Sequence, residues 1–394
     1  MSSRDAWLGL LGGGQLGRLF VMAAQSLGFR VMVLDPDADC PAGRSADRFL
    51  CGAYDEPQLL AVMAEQCAAI TIEFEGVPAE SLRWLSAHCR VTPSADSVAV
   101  AQDRIAEKKM LSAVVGVVPY AVIESENDIA SVPPELFPGI LKTARMGYDG
   151  RGQVAVSDVT ALAVVYRRMG AVPCVLEKRI RFVRELSVVL ARDHSGFCVT
   201  YPVSENRHVN GILDVSIIPA RVDNAVARAA AEAAVAVAVA LDYTGVMCLE
   251  LFECEDGRLL ANEIAPRPHN SGHWTLDAAV TSQFDQQVRV VAGLPLGSPR
   301  QTAPAVMVNL LGELWVQGTP DFSALLDDAY TRLRLYGKAK ARGGRKMGHY
   351  TCCDEDVGSA LTRALDLRTR IEPPLIVNIG TTTVTAEKHG EMIA

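Results

Sequence analysis

The first thirty-five residues limit the fold more than any other segment. An apolar run over residues 8–11 meets the glycine cluster Gly12-Gly13-Gly14-Gln15-Leu16-Gly17. A helical pattern follows over 16–27, and a second apolar run over 31–34 ends at Asp35. Strand, glycine turn, helix and strand make a βαβ unit, which commits this part of the chain to a parallel sheet with helices on its faces. A helix over 56–67 and a short strand over 69–72, ending in Glu73-Phe74-Glu75, continue the alternation. Parallel sheets bind ligands at the carboxyl ends of their strands, where the Gly12 loop, Asp35 and Glu73 all fall. The glycines also satisfy the dinucleotide spacing, with Asp35 eighteen residues after Gly17. The residues alone leave three readings open: a dinucleotide, another phosphate-bearing ligand held by backbone N–H groups at the helix N-terminus, or a structural turn.

From Asp103 the pattern changes to a helix, a turn near Pro119 and several β-rich stretches, with one Ala-rich helix from about 223 to 241. This reads as an α+β second unit. Beyond the Pro/Gly stretch at 294–299 strand-like runs return at 305–311 and 375–379, as expected of a small C-terminal β-rich unit. The expected boundaries are 1–102, 103–297 and 298–394. Lys plus Arg number 38 against 46 Asp plus Glu, a net charge of −8 with no basic tail, which argues against a nucleic-acid partner. The most apolar stretch, 229–241, is broken by Glu232 and falls short of the roughly 20 residues a membrane span needs. The N-terminal residues carry no export-type apolar region. A cytoplasmic protein with no membrane partner is expected. The ten cysteines are scattered with no C-x-x-C pair, so reduced thiols are expected, with Cys352 and Cys353 on opposite faces of one strand.

Four constellations carry chemistry. Gly147-Tyr148-Asp149-Gly150-Arg151-Gly152-Gln153 lies between strands at 139–142 and 154–156; its glycines allow close approach to phosphate, with Lys142 and Arg151 as charge partners. A plain β-loop is the alternative. No Walker loop occurs in the chain. Second, strand-like segments flank Asp256-Gly257, a dipeptide favoured in two-residue hairpin turns. Residues paired across such a turn have numbers summing to 256 + 257 = 513, and Glu250 and Glu263 satisfy that sum. Carboxylates so placed repel unless a cation lies between them, and Mg²⁺ fits. A shifted register or a protonated carboxyl remains open.

Third, Arg267-Pro-His269-Asn270-Ser271-Gly-His273 follows Glu263, and its prolines and glycine forbid the helix that would align the histidines as zinc ligands. Its polar side chains read as donors for a substrate phosphate or sugar. Fourth, Lys338, Arg342, Arg345 and Lys346 concentrate positive charge in an otherwise acidic chain, as a phosphate-binding loop or a solvated one.

These motifs, in this order along nearly the whole chain, resemble the ATP-grasp superfamily, and within it the branch that carboxylates aminoimidazole ribonucleotide. The resemblance implies an α/β and α+β architecture: an ATP-grasp fold with an N-terminal Rossmann-like pre-ATP-grasp domain and a small C-terminal β-rich domain. It implies ATP held by Arg104, Lys142, Gly147, Tyr148, Asp149, Gly150, Arg151, Gly152, Gln153, Glu177, Lys178, Ile180, Glu185, His208, Asn262 and Glu263. The backbone of 177–180 would meet adenine and Glu185 the ribose. Mg²⁺ would sit on Glu250 and Glu263. The ribonucleotide would contact Gln15, Leu16, Glu73, Tyr148, His269, Asn270, Ser271, His273, Lys338, Arg345 and Lys346. Asp149, Arg151, Lys338 and Arg345 would serve the chemistry, in which ATP and bicarbonate form carboxyphosphate that carboxylates the 5-amino group. A homodimer is implied.

Two departures stand out. Ala265 occupies a position where many members carry a metal-binding Asn, and the basic loop lacks a proline before Gly344. Rival readings are another ATP-grasp ligase, such as a formate-dependent glycinamide ribonucleotide transformylase, a non-catalytic nucleotide sensor, and an NAD(P)-dependent oxidoreductase resting on Gly12 to Gly17 and Asp35.

Overall fold

The computed structural model describes residues 6–145 and 152–371, and the backbone of 378–379 and 382–383. The expected lid residues Gly147, Tyr148, Asp149, Gly150 and Arg151 lie outside the described residues, as does most of the strand expected at 375–379.

The N-terminal unit runs β1 (Trp7–Leu11), α1 (Gln15–Ser26), β2 (Arg30–Asp35), β3 (Arg48–Cys51), α2 (Pro57–Gln66), β4 (Cys67–Ile72), α3 (Ala79–Ser86), β5 (Arg90–Val91) and α4 (Ala95–Ala101). Its parallel sheet has the order β3-β2-β1-β4-β5. Alternate strand residues point to opposite faces. Leu8, Leu10, Val31 and Val33 pack with Leu19, Phe20 and Ala23 of α1, whereas Leu11, Met32 and Leu34 pack with Leu60, Met63, Leu82 and Leu85. Both faces are covered, which is why these strands are apolar throughout. The strand order reverses between β1 and β4, so the residues following those strands, Gly12 and Glu73, meet at the switch point.

α5 (Arg104–Ser112) follows, capped by the Asp103 carboxylate, which accepts from the Ile105 and Ala106 amides. β6 (Tyr120–Ile123), β7 (Gly139–Thr143), β8 (Gln153–Val156) and β9 (Cys174–Lys178) form an antiparallel sheet of order β6-β9-β7-β8. α6 (Val159–Arg168) buries Leu162 and Tyr166 against it.

The remaining elements are β10 (Phe182–Arg192), β11 (Cys198–Thr200), β12 (Ser204–Val209), β13 (Ile212–Ile218), α7 (Asn224–Ala240), β14 (Gly245–Cys254), β15 (Leu259–Ala265), α8 (Thr275–Ala278), α9 (Gln283–Ala292), β16 (Ala305–Leu311), α10 (Ser323–Asp327), β17 (Thr331–Leu335), β18 (Lys346–Cys353) and α11 (Val357–Ile371). Among the described residues, nine of these strands make one sheet, ordered β15-β14-β10-β12-β13-β16-β18-β17 with β11 on β10. The strands after residue 298 are therefore continuous with those before it, because β16 supplies β13 with a hydrogen-bonding partner from Val215↔Val308 to Ile218↔Ala305. The joining segment is no free linker: the Gln286 side chain donates to the Gly297 carbonyl at 2.7 Å and accepts from its amide at 2.9 Å. α11 was not expected from the sequence. Its buried Ala360, Ala364, Leu367 and Ile371 follow helical spacing and cover Val306, Val308 and Tyr350.

α9 packs on α1, and Phe284, Val288, Val291 and Tyr336 belong to the same apolar cluster as the N-terminal sheet. That shared core brings the Gly12 loop beside the β17–β18 loop. All ten cysteines are free thiols, and Cys352 and Cys353 face different clusters across their strand. Among the described residues no helix is long and apolar enough to cross a membrane.

Candidate active site

Glu250 and Glu263 pair directly across β14 and β15, as the sum of 513 requires, yet the turn differs from the expected one. The Cys254 amide donates to the Arg258 carbonyl at 2.9 Å, enclosing three residues, and Gly257 takes the left-handed conformation at φ 79°. Three-residue loops with such a glycine are a common hairpin solution. Near the turn the pairs are therefore one residue out of the expected register, Glu253↔Leu259 through Leu251↔Ala261. Asn262 then bulges out of β15 and restores it. Glu263 faces Glu250 because two one-residue shifts cancel.

Each carboxylate has a cationic neighbour. His269 Nε2 lies 3.0 Å from Glu250 Oε1, and the Arg104 guanidinium lies 3.3 Å from Glu263 Oε2. Burial raises the Glu250 pKa, but His269, His208 and Lys346 more than offset it and hold the carboxyl well below the usual range. Among the described residues no group of three or more His, Cys, Asp or Glu is placed to hold a metal ion. The donors here are two facing carboxylates, and the Oδ1 of Asn262, next along β15, is buried without a hydrogen-bond partner. Such hard oxygens suit Mg²⁺, which completes its shell from water and phosphate. Ala265 is buried beside Cys248 and Trp274 and adds no ligand.

On the nucleotide side, Lys142 on β7 lies 2.7 Å from Glu177 Oε2 on β9. The other oxygen of Glu177 lies 3.1 Å from Lys108, a lysine with no exposed side-chain surface. Glu177 is thus read differently from the expected backbone role, since its side chain is the shared counterion of two lysines. Lys178 and Arg179 spend their amides on the Pro119 and Pro138 carbonyls. Ile180 packs with Phe252 against Val118, Cys254 and Leu260, an apolar surface next to the strand end. Gln153 pairs with Lys142 at the start of β8, directly after Gly152. Glu185 on β10 hydrogen-bonds His208 on β12. Burial lowers the His208 pKa, and Glu185 and Glu250 more than reverse this, leaving it raised.

The sequence reading missed the polar face of α5. Arg104, Glu107 and Lys108 stand at i, i+3 and i+4, hence on one helix face, and all three turn inward. The Glu107 carboxylate accepts from the Ile264 amide at 2.6 Å; burial pushes its pKa up to about 8, with Arg104 opposing and Glu263 assisting the rise. Lys108 donates to the Asn262 carbonyl at 2.8 Å. The i, i+3, i+4 spacing was available in the sequence, but a charged stripe ordinarily faces water.

At the switch point the glycine loop holds no vacant anion cradle. The Glu73 carboxylate accepts from the Gly14 amide and from the Leu16 amide at 3.1 Å, and Asp35 accepts from the Gly13 amide at 2.6 Å. A phosphate cradled on these amides, one of the expected readings, finds them taken by the chain's own carboxylates. Asp35 also accepts from the Tyr54 hydroxyl and the Asp37 amide, so it is not available to a nicotinamide ribose as the oxidoreductase reading required. Gln15 is brought to Lys338: Lys338 Nζ donates to Gln15 Oε1 and the Lys346 carbonyl, each at 2.6 Å, and lies 5.6 Å from the Tyr336 ring centre. Arg345 donates to the Lys340 carbonyl at 2.7 Å, and among the described residues it forms no ion pair. Burial and the neighbouring Arg342 both lower its pKa, as crowding of like charge demands.

The 269–273 loop divides. His269 faces Glu250, but Asn270, Ser271 and His273 are buried beneath the loop and do not line it. Asn270 exchanges amide hydrogen bonds with Asn309, Ser271 meets Ser187 and His269, and His273 packs among Phe284, Tyr336 and His349. These three hold the loop in place; the sequence pattern could not separate them from surface donors because loops with glycine and proline are ordinarily exposed. Arg267, grouped in the sequence with the donors of this loop, clamps Glu75 through two guanidinium nitrogens, one at 3.1 Å, and ties the loop to the residue beyond Glu73.

Comparison with known proteins covers all three parts. Residues 6–102 match the ribonucleotide synthetase preATP-grasp domain, 109–284 the ATP-grasp domain, and 305–363 the phosphoribosylaminoimidazole carboxylase C-terminal domain. The N5-carboxyaminoimidazole ribonucleotide synthase of Bacillus subtilis is 40% identical over 348 residues, covering 88% of this chain and 91% of that protein. The protein of the same name from Brucella melitensis is 42% identical, covering 87% and 95%. Among solved structures, an N5-carboxyaminoimidazole ribonucleotide synthetase in its ADP complex superposes with a TM-score of 0.87 at 35% identity, over 94% of this chain and 98% of that one. The Aspergillus clavatus N5-carboxyaminoimidazole synthase, in complex with ADP and 5-aminoimidazole ribonucleotide, gives 0.84 at 29% identity over 93% and 100%. Likeness of this extent, in sequence and in fold, makes the chain a member of the N5-carboxyaminoimidazole ribonucleotide synthase family, built on an ATP-grasp fold.

Proposed function

We infer that the chain catalyses the ATP- and bicarbonate-dependent carboxylation of 5-aminoimidazole ribonucleotide to N5-carboxyaminoimidazole ribonucleotide, releasing ADP and phosphate, in purine biosynthesis. The observation that carries this reading is the facing pair Glu250 and Glu263, set beside the Lys142–Glu177 pair in a chain that aligns over 93% of its length with a relative holding ADP and that ribonucleotide.

Arg104, Lys142, Asn262, Glu263 and the lid residues Gly147, Tyr148, Asp149, Gly150, Arg151, Gly152 and Gln153 bind the ATP phosphates. Glu177, Lys178 and Ile180 border the adenine, and Glu185 with His208 takes the ribose. Bound between Glu250 and Glu263, Mg²⁺ would neutralise charge on the phosphates. Phosphoryl transfer needs position and charge compensation more than covalent participation, and Lys142 with Arg104 supplies both from the protein. Carboxyphosphate is labile in water, so the lid over 147–153 serves by excluding solvent. Gln15, Leu16, Glu73, Tyr148, His269, Lys338, Arg345 and Lys346 surround the ribonucleotide, with Asn270, Ser271 and His273 supporting them. Asp149, Arg151 and Lys338 place bicarbonate and the amine for attack, and Arg345, expected with them, reaches the ribonucleotide through its phosphate. The three units 1–102, 103–297 and 298–394, a homodimer and a cytoplasmic location complete the reading.

ADP release is to be measured in Mg-ATP and bicarbonate with and without 5-aminoimidazole ribonucleotide, with the product checked for an acid-labile carboxylate. Stimulation that requires both bicarbonate and that nucleotide is expected; stimulation by glycinamide ribonucleotide and formate instead would overturn the assignment while keeping the fold.

A further inference from the structure

Three consecutive residues of β15 are each held by a different side chain of α5. Lys108 donates to the Asn262 carbonyl at 2.8 Å, Arg104 lies 3.3 Å from the Glu263 carboxylate, and Glu107 accepts from the Ile264 amide at 2.6 Å. These are the bulged residue and the two that follow it. A bulge removes backbone groups from the ladder, and buried groups so released must find other partners. Here α5 provides them.

Lys108 does more than hold the bulge. Its ammonium, entirely out of solvent, also lies 3.1 Å from Glu177 Oε1, while Glu177 Oε2 lies 2.7 Å from Lys142. One ammonium therefore touches the strand that carries Glu263 and the carboxylate that fixes Lys142. We propose that Lys108 is a positioning residue that sets the separation between the phosphate lysine Lys142 and the carboxylate Glu263, by gripping Glu177 on one side and the Asn262 bulge on the other.

The balance of charge supports this role. Glu177, shared between two lysines, cannot pair fully with both, so Lys142 is held in place without being fully neutralised. Without Lys108, Glu177 would pair with Lys142 one to one and compete with ATP for it. The Asn262 carbonyl would lose its partner in a site closed to water, and the pressure to expel the bulge would turn Glu263 away from Glu250, since a one-residue slip reverses every side chain beyond it.

This inference rests on the proposed function, and its test separates the two. Lys108→Met keeps the unbranched apolar stem, one atom shorter, and removes the charge. ATP affinity by calorimetry, kcat, the KM values for ATP and for 5-aminoimidazole ribonucleotide, and the thermal unfolding midpoint are to be measured on parent and variant. The expected result is ATP affinity reduced at least tenfold and kcat at least a hundredfold, with the ribonucleotide KM within about threefold of the parent at a temperature where the variant is folded. Parent-like kcat and ATP affinity would overturn the proposal, as would a uniform loss matching the fraction of unfolded protein. If Lys108→Met does not yield folded protein, Lys108→Arg keeps the charge but not a point donor able to serve both acceptors. It is expected to lower kcat at least tenfold with ribonucleotide KM retained, and parent-like kcat there would overturn the proposal. A parent without ribonucleotide-stimulated ADP release would instead sink the functional reading, while the ATP-affinity comparison would still decide the role of Lys108.

Discussion

Glu73 offers the most direct test of how the switch point is built. Its carboxyl is buried, and burial raises its pKa; the Gly14, Gly17 and Leu16 amides oppose the rise and the Asp35 charge adds to it, leaving the group pushed up from 4.5 to about 7. The folded protein therefore binds a proton at Glu73 between pH 4.5 and 7 that the unfolded chain has released. For a carboxyl raised in this way, stability is greatest below the unfolded pKa and declines as pH climbs through the folded one. A rise of roughly 2.5 units at about 1.36 kcal/mol each gives a decline of about 3.4 kcal/mol, of which roughly 2.5 falls between pH 5 and pH 8. Glu73→Gln cannot ionise and lacks this dependence. It also sets an amide N–H₂ against one of the loop N–H donors, a pH-independent cost of about 1–3 kcal/mol.

Urea unfolding of parent and variant at pH 5 and pH 8, followed by tryptophan fluorescence, isolates the effect, since titrations of groups remote from Glu73 cancel in the difference. The parent is expected to lose about 2–3 kcal/mol of its advantage over the variant on going from pH 5 to pH 8. A parent-minus-variant difference that is constant across that range would refute the reasoning. It would mean that the Gly14 and Leu16 amides keep Glu73 ionised throughout.

Two further outcomes are expected. Tyr336→Phe leaves His349 Nδ1, now 2.7 Å from the Tyr336 hydroxyl in a buried site, without a partner. A loss of about 1–3 kcal/mol is expected, with most of it recovered in Tyr336→Phe/His349→Phe because both polar groups are then gone; a double variant no better than the single one in urea titration would count against this. Asp149→Ala is expected to lower turnover much more than ATP affinity, and equal losses in both would remove Asp149 from the placement of bicarbonate or amine.

What could be read from the sequence depended on range. The alternation in β1, β2 and β4 and the Gly12 loop are local, and their placement follows from strand, turn and helix chemistry acting within a few residues. The Glu250–Glu263 pairing was reached by counting through a two-residue turn that the chain does not use; the Asn262 bulge compensated, and no local pattern announces a bulge. Lys108 and Glu107 were passed over because a charged helical stripe faces water unless a strand distant in sequence supplies carbonyls and amides, here 154 and 157 residues away. The occupation of the glycine loop by Glu73 has the same origin. A glycine pattern states that backbone approach is close, and only the parallel neighbour β4 decides that a carboxylate does the approaching.

That occupation bears on how the ribonucleotide lies in the crevice. With Asp35 and Glu73 on the loop amides, the N-terminal side of the crevice presents carboxyl groups where a phosphate was one of the expected guests. Positive charge is gathered on the opposite side, in Lys338, Arg345 and Lys346, in a chain whose net charge is −8. Lys338 is tied to Gln15 at 2.6 Å, whereas the Arg345 guanidinium has only the Lys340 carbonyl as hydrogen-bond partner among the described residues. The unpaired guanidinium is the one suited to a bidentate grip on phosphate. The substrate phosphate is therefore expected to point toward Arg345 and its amine toward Glu73. Arg345→Met should then raise KM for 5-aminoimidazole ribonucleotide by roughly tenfold to a hundredfold, the worth of a charge-assisted pair at about 1.5–3 kcal/mol, while leaving weak binding of the corresponding nucleoside unchanged. Glu73→Gln should weaken nucleotide and nucleoside alike. If Arg345→Met lowered the affinity of both ligands equally, the guanidinium would not be reading the phosphate, and this orientation would be wrong.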